Sequence, residues 1–136
     1  MQYLFYFPLF AILLVAYNVL MVMGLTETNP VVAQMPLVVR EVPMELRLGD
    51  FLLGFGLILF FFEMIKATRY ARSAVIDHML SMVVFVIFLI ELLVVSGAGT
   101  ATFLLLTFMS LLDVVAGFTI TISTARRDVT FGAGEN

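Results

Sequence analysis

The sequence predicts an all-α fold, a polytopic membrane protein of four transmembrane helices in an antiparallel bundle with both termini cytoplasmic. Three observations lead there: an apolar composition, four long apolar stretches, and an uneven distribution of basic residues between them. Of the 136 residues, 62% are hydrophobic and 12% charged, against roughly 45–50% and about 25% in an average soluble domain. Seven basic and ten acidic side chains are too few to give a domain of this size a polar exterior.

The same composition excludes several functions. A net charge of −3, with the basic residues in short clusters at the ends of apolar runs, gives nucleic-acid binding no support. The absence of cysteine removes disulfides, thiolate metal sites, iron–sulfur clusters and thiol catalysis. One histidine, His78, does not make a multi-histidine metal or haem site. No cofactor is expected.

The first span is expected over residues 3–25, apolar apart from Tyr17 and Asn18 and long enough to cross a hydrocarbon core of roughly 30 Å. A signal peptide is the competing reading, with Val31 and Ala33 at the −3 and −1 positions. Met1-Gln2-Tyr3 lacks a basic residue and the apolar stretch exceeds the usual 7–15 residues, so a retained span is favoured. Residues 26–49 form the outer connection and hold Pro30, Pro36 and Pro43, which favour extended geometry in its first part. From Pro43, Met44-Glu45-Leu46-Arg47-Leu48 reads as a helical turn at the interface, leading into the next span.

The second span is expected over residues 50–66, with Gly54 and Gly56 in its outer half and Phe60, Phe61 and Phe62 in its inner half. Glu63 lies one turn before Lys66. A short connection carrying Arg69, Tyr70 and Arg72 leads to the third span, residues 75–95, with Asp77 and His78 at its entry and Glu91 near its exit. Asp77 is expected to cap this helix and to meet Arg69 or Arg72. Ser96-Gly97-Ala98-Gly99-Thr100 is a tight turn, so the third span and the fourth, residues 102–124, are antiparallel neighbours. Residues 125–136 form a cytoplasmic tail, whose final residues are expected to be mobile. The whole chain reads as one membrane domain.

Orientation follows from the cations. Lys66, Arg69, Arg72, Arg126 and Arg127 share one side, and only Arg40 and Arg47 lie on the other. The positive-inside bias makes the first side cytoplasmic, in a plasma membrane or bacterial inner membrane.

The fourth span carries the chemistry. Ser110, Asp113, Gly117, Thr121 and Thr124 recur every three or four residues and share one face. Asp113 falls about 16 Å from the outer start of its helix, near the midplane, where insertion of an Asp costs about 2.5 to 3.5 kcal/mol. It must stay protonated, find a partner or line a hydrated cavity. No Lys, Arg or His is expected at its level, and Asn18 or a threonine hydroxyl is the nearest local partner. Ser110, Asp113, Gly117 and Thr121 are therefore assigned as a helix–helix or partner contact, because small residues let a second helix approach closely.

Glu63, Glu91 and Asp113 occupy three levels of the bilayer, as a proton or cation path requires. For Glu63 the alternative is a pair with Lys66. There is no phosphate loop, nucleophile elbow or H-E-x-x-H motif, so no catalysis is expected. The favoured expectation is an accessory or assembly subunit of a larger membrane complex, or a homo-oligomer. The alternative is a proton- or cation-conducting protein using these carboxylates.

Overall fold

Proline and glycine set the ends of the first helix. The computed structural model describes residues 7–36, 42–69 and 74–132 of the chain. Helix α1, Phe10–Val22, begins just after Pro8 and stops before Gly24, whose φ of 73° is left-handed. Met23 N–H bonds Val19 O and Gly24 N–H bonds Met21 O, which closes the last turn as a left-handed residue after a helix allows. The helix is thus shorter than the expected span, about 20 Å at 1.5 Å per residue.

A short helix, α2, Leu25–Thr28, leads into two antiparallel strands, β1, Val31–Met35, and β2, Met44–Arg47. The extended geometry expected after Pro30 is present. The helical turn expected from Met44 is not: those residues pair with β1, Met44 opposite Met35 and Glu45 opposite Gln34, with a register shift between Val31 and Ala33. Pairing gives the backbone of Met44–Arg47 partners that one isolated helical turn would lack. Pro30, Pro36 and Pro43 flank the strands without entering them, the position where a missing N–H does no harm.

Helix α3, Leu48–Arg69, starts directly from β2. The Asp50 carboxylate accepts the Arg47 N–H at 2.8 Å and the Asn29 side chain accepts the Gly49 N–H at 2.9 Å, so two otherwise orphaned donors are satisfied. Helix α4 covers Ala74–Val94, a 3-10 turn Ser96–Ala98 follows, and helix α5 runs Ala101–Gly132. Thr100 caps α5, its hydroxyl accepting the Phe103 N–H at 3.1 Å. Helix α5 continues past the expected end of the fourth span to Gly132, since residues 123–131 contain no proline or glycine to interrupt the ladder; the final residues expected to be mobile lie outside the described residues. Residues 133–136, Arg40, Tyr70 and Arg72 lie outside the described residues, as do the side chains of Arg69, Thr124, Arg126 and Arg127.

Three helical segments, Leu48–Thr68, Ile76–Val94 and Ala101–Ser123, are long and apolar enough to cross a membrane, and α1 is a shorter apolar helix. The chain is therefore an integral membrane protein by length and composition of its helices. Successive long helices run antiparallel. One end of the bundle holds the α3–α4 junction and the start of α1; the other holds the β-hairpin and the α4–α5 turn. Helix α5 packs most extensively on α3 and α4. At Gly56 a Cβ would touch Leu13, Leu106 and Met109 within 3.3 Å, so the glycine is what lets α3 approach α5 and α1. The middle of the bundle is an apolar layer containing Leu13, Leu59, Val84, Phe88, Phe103 and Leu106.

Candidate functional site

The four-residue gap between α3 and α4 makes the two helices a hairpin. Lys66 lies three residues before the last residue of α3, and Asp77 three residues after the first of α4. Equal offsets from the two helix ends bring antiparallel residues to one level, and Lys66 Nζ sits 2.7 Å from Asp77 Oδ1. The same ammonium is 2.9 Å from Glu63 Oε1, across the one-turn spacing that the sequence offers. Glu63 and Asp77 are buried, with side chains 4% and 5% exposed, and Lys66 is partly buried at 11%.

The start of α1 is drawn into this group through its backbone. Glu63 Oε2 accepts the Leu9 N–H at 3.2 Å, satisfying a donor that a helix start leaves open. Lys66 Nζ donates to Phe7 O at 3.1 Å. Helix α5 supplies Asp113, which is 5% exposed. Its carboxyl lies beside the Ser81 hydroxyl, with Glu63, Asp77 and Lys66 within electrostatic range. All four apolar helices thus contribute to one cluster of three carboxyls and one ammonium.

His78 completes it. The ring is 3% exposed, lies 5.7 Å from the Phe118 ring, and rests where a Cβ on Gly117 would stand. Its Nε2 meets no hydrogen-bond partner among the described residues. Gly117 is therefore the position that admits the imidazole between α4 and α5. No group of acids and histidine among the described residues has the geometry of a metal site. Chemically, acids, an ammonium and an imidazole held close together are groups that can take up and release protons.

The structure brings together Glu63 and Asp113, two of the three carboxylates of the expected path. It places Glu91 elsewhere. Glu91 Oε2 accepts from Asn18 Nδ2 at 2.8 Å, and the same amide donates to Leu14 O at 3.0 Å. Asn18 thus answers Glu91 and not Asp113. Both line an open groove between α1 and α4 with Leu14, Val15, Val19, Val22 and Met23. The apolar layer separates this pair from the cluster.

The face of Ser110, Asp113, Gly117 and Thr121 looks into the bundle. Ser110 is 1% exposed, and the Thr121 hydroxyl bonds the Gly117 carbonyl of its own helix at 3.0 Å. Lys66, expected as a boundary cation, pairs with Glu63 and Asp77. Of the other boundary cations, Arg69, Arg126 and Arg127 sit on helices and Arg72 lies outside the described residues. The roles of Asp77, His78 and Ser81 were partly visible: their i, i+1 and i+4 positions place two of them on one face. What composition and spacing do not give is the rotation of that face toward α5.

A third polar contact closes the hairpin end. Tyr17 is 1% exposed, its hydroxyl 2.6 Å from Thr100 Oγ1 and its ring centroid 4.5 Å from that of Phe103. Comparison of the chain with protein-family models, with curated proteins and with solved structures finds no match.

Proposed function

We propose that this is a non-catalytic, four-span protein of a plasma or bacterial inner membrane that conducts protons or small cations through the buried cluster of Glu63, Lys66, Asp77, His78 and Asp113. Helix α1 serves as the first span, and both termini face the cytoplasm, which puts the cluster in the cytoplasmic half. The observation that carries the reading is an excess of acids: Glu63 and Asp77 share the Lys66 ammonium, and a third buried acid, Asp113, lies within electrostatic range of all three inside an apolar bundle. A purely structural ion pair needs no third acid, and an uncompensated acid in hydrocarbon is costly. Mobile protons or cations meet that surplus.

In a single chain the apolar layer of Phe88, Phe103 and Leu106 stands between the cluster and the opposite surface. Transport then proceeds by exposure of the cluster to one side at a time, or through an oligomer, and not through an open pore. The test is flux in liposomes with a pH-sensitive dye inside and an imposed potential. Acidification that stops in Asp113→Asn and persists in Glu91→Gln is expected. Absence of flux with a monodisperse wild-type protein would sink the proposal.

One observation favours a second reading, an accessory or assembly subunit of a larger membrane complex: Asn18 and Glu91 are paired in a groove open to lipid. Purification in mild detergent checks it. A defined companion that is lost in Glu91→Leu supports that role, and a stable protein unaffected by the change removes it.

A further inference from the structure

We propose, resting on the reading that the cluster conducts, that it carries protons and not metal cations: Lys66 itself fills the place that a cation would take, and Asp113 is the acid left to load and release the proton. Three oxygens surround the Lys66 nitrogen, Asp77 Oδ1 at 2.7 Å, Glu63 Oε1 at 2.9 Å and Phe7 O at 3.1 Å. Two carboxylates and a backbone carbonyl are the oxygen ligands that a hard cation collects. Here they converge on an ammonium, which brings three N–H groups of its own. The other oxygen of Glu63 is spent as well, on the Leu9 N–H at 3.2 Å. A metal cation entering this place must therefore evict a positive charge that is tethered one turn from Glu63 on the same helix.

A proton needs only one lone pair, and Asp113 supplies it. That residue is 5% exposed and, among the described residues, forms no ion pair with Lys66. The groups that face it are Glu63 and Lys66 from α3, with Asp77 and the Ser81 hydroxyl from α4; His78 of α4 stands one turn further along α5, against Gly117. A hydroxyl can donate to a carboxylate and accept from a carboxylic acid, so Ser81 serves Asp113 in both states. Loading forms one O–H bond on Asp113 with a proton taken from hydronium, leaving water, and breaks no contact of Lys66. Release returns the proton to water.

The full chain in detergent is heated in sodium, potassium or choline chloride at one ionic strength, because an ion that binds the folded state raises its unfolding temperature. The wild type is expected to melt at the same temperature in all three. Lys66→Ala uncovers the three oxygens and is expected to melt higher in sodium or propylammonium chloride than in choline chloride. In liposomes, a pH gradient is expected to drive the same proton flux in sodium and in choline media, with no uptake of radioactive sodium. Sodium uptake, a proton flux that requires sodium, or sodium-dependent melting of the wild type would overturn the proposal and leave ion conduction standing. A folded Lys66→Ala that is indifferent to both added cations would overturn it too; if that variant does not fold, the wild-type measurements decide alone. Absence of any flux would end conduction and this proposal together.

Discussion

At the α3–α4 end, the helices meet on Glu63, Lys66, Asp77 and Asp113, whereas at the hairpin end they meet on Tyr17, Asn18, Glu91 and Thr100. The first group is ionic and shared by four helices. The second is made of neutral donors, one acid and an aromatic contact, arranged in pairs. Ionic groups in low dielectric are strongly interdependent, because removing one leaves others uncompensated. Paired neutral groups fail one at a time. The difference teaches where the molecule is fragile and where it is merely fastened, and it gives the two ends separable mutational signatures.

Lys66 is the largest lever. Lys66→Met removes the ammonium from between Glu63 and Asp77 and takes away a bond to Phe7 O. Breaking a buried pair by deleting one partner costs about 3 kcal/mol or more, and the loss is expected in unfolding of the detergent-solubilised protein. The decisive comparison is the double variant Lys66→Met with Asp77→Asn. Because one of the two orphaned acids is then removed too, part of the stability returns. If the two losses simply add, the cluster is not the coupled unit described.

Gly117 tests the same end by shape. A Cβ there overlaps the His78 ring, whereas a Cβ on Gly54 meets nothing within 4 Å. Gly117→Ala is expected to cost about 1–3 kcal/mol, the range for overpacking. Gly54→Ala removes a helix-interior glycine and is expected to leave stability unchanged or raise it by up to about 1 kcal/mol. Thermal unfolding of the two variants in one detergent measures both, and equal effects would mean that His78 does not occupy that space.

Sequence made the membrane class legible because hydrocarbon imposes length and composition on any helix that crosses it. The Glu63–Lys66 pair was legible too, since one-turn spacing brings two side chains together without help from the fold. Lys66–Asp77 needed one further inference, that helices joined by a short turn are antiparallel. Asp113 beside Ser81 required the rotation of α5 about its axis. Helices apolar on nearly every side leave that rotation unspecified, because lipid and core accept the same residues. The hairpin was hidden for a different reason: its strands are short and exposed, and their extended form is selected by pairing with each other, a long-range fact that local propensity does not contain.

The smallest effect belongs to the hairpin end, and it sharpens the contrast. Tyr17→Phe removes a hydroxyl 2.6 Å from Thr100 Oγ1 and leaves the ring on Phe103. Thr100 still accepts the Phe103 N–H, so its oxygen is not stranded and the cap of α5 survives. The change also removes a long bond, 3.4 Å, to Gly97 O; a neutral hydrogen bond costs about 0.5–1.5 kcal/mol to lose, and the aromatic packing is retained. Combined with Lys66→Met, the change is expected to be additive, since the apolar layer of Leu13, Phe88 and Leu106 separates the two groups and distant sites with no shared partner do not couple. A Tyr17→Phe loss approaching that of Lys66→Met, or strong coupling between them, would show that α1 transmits strain along its length and that the two ends act as one.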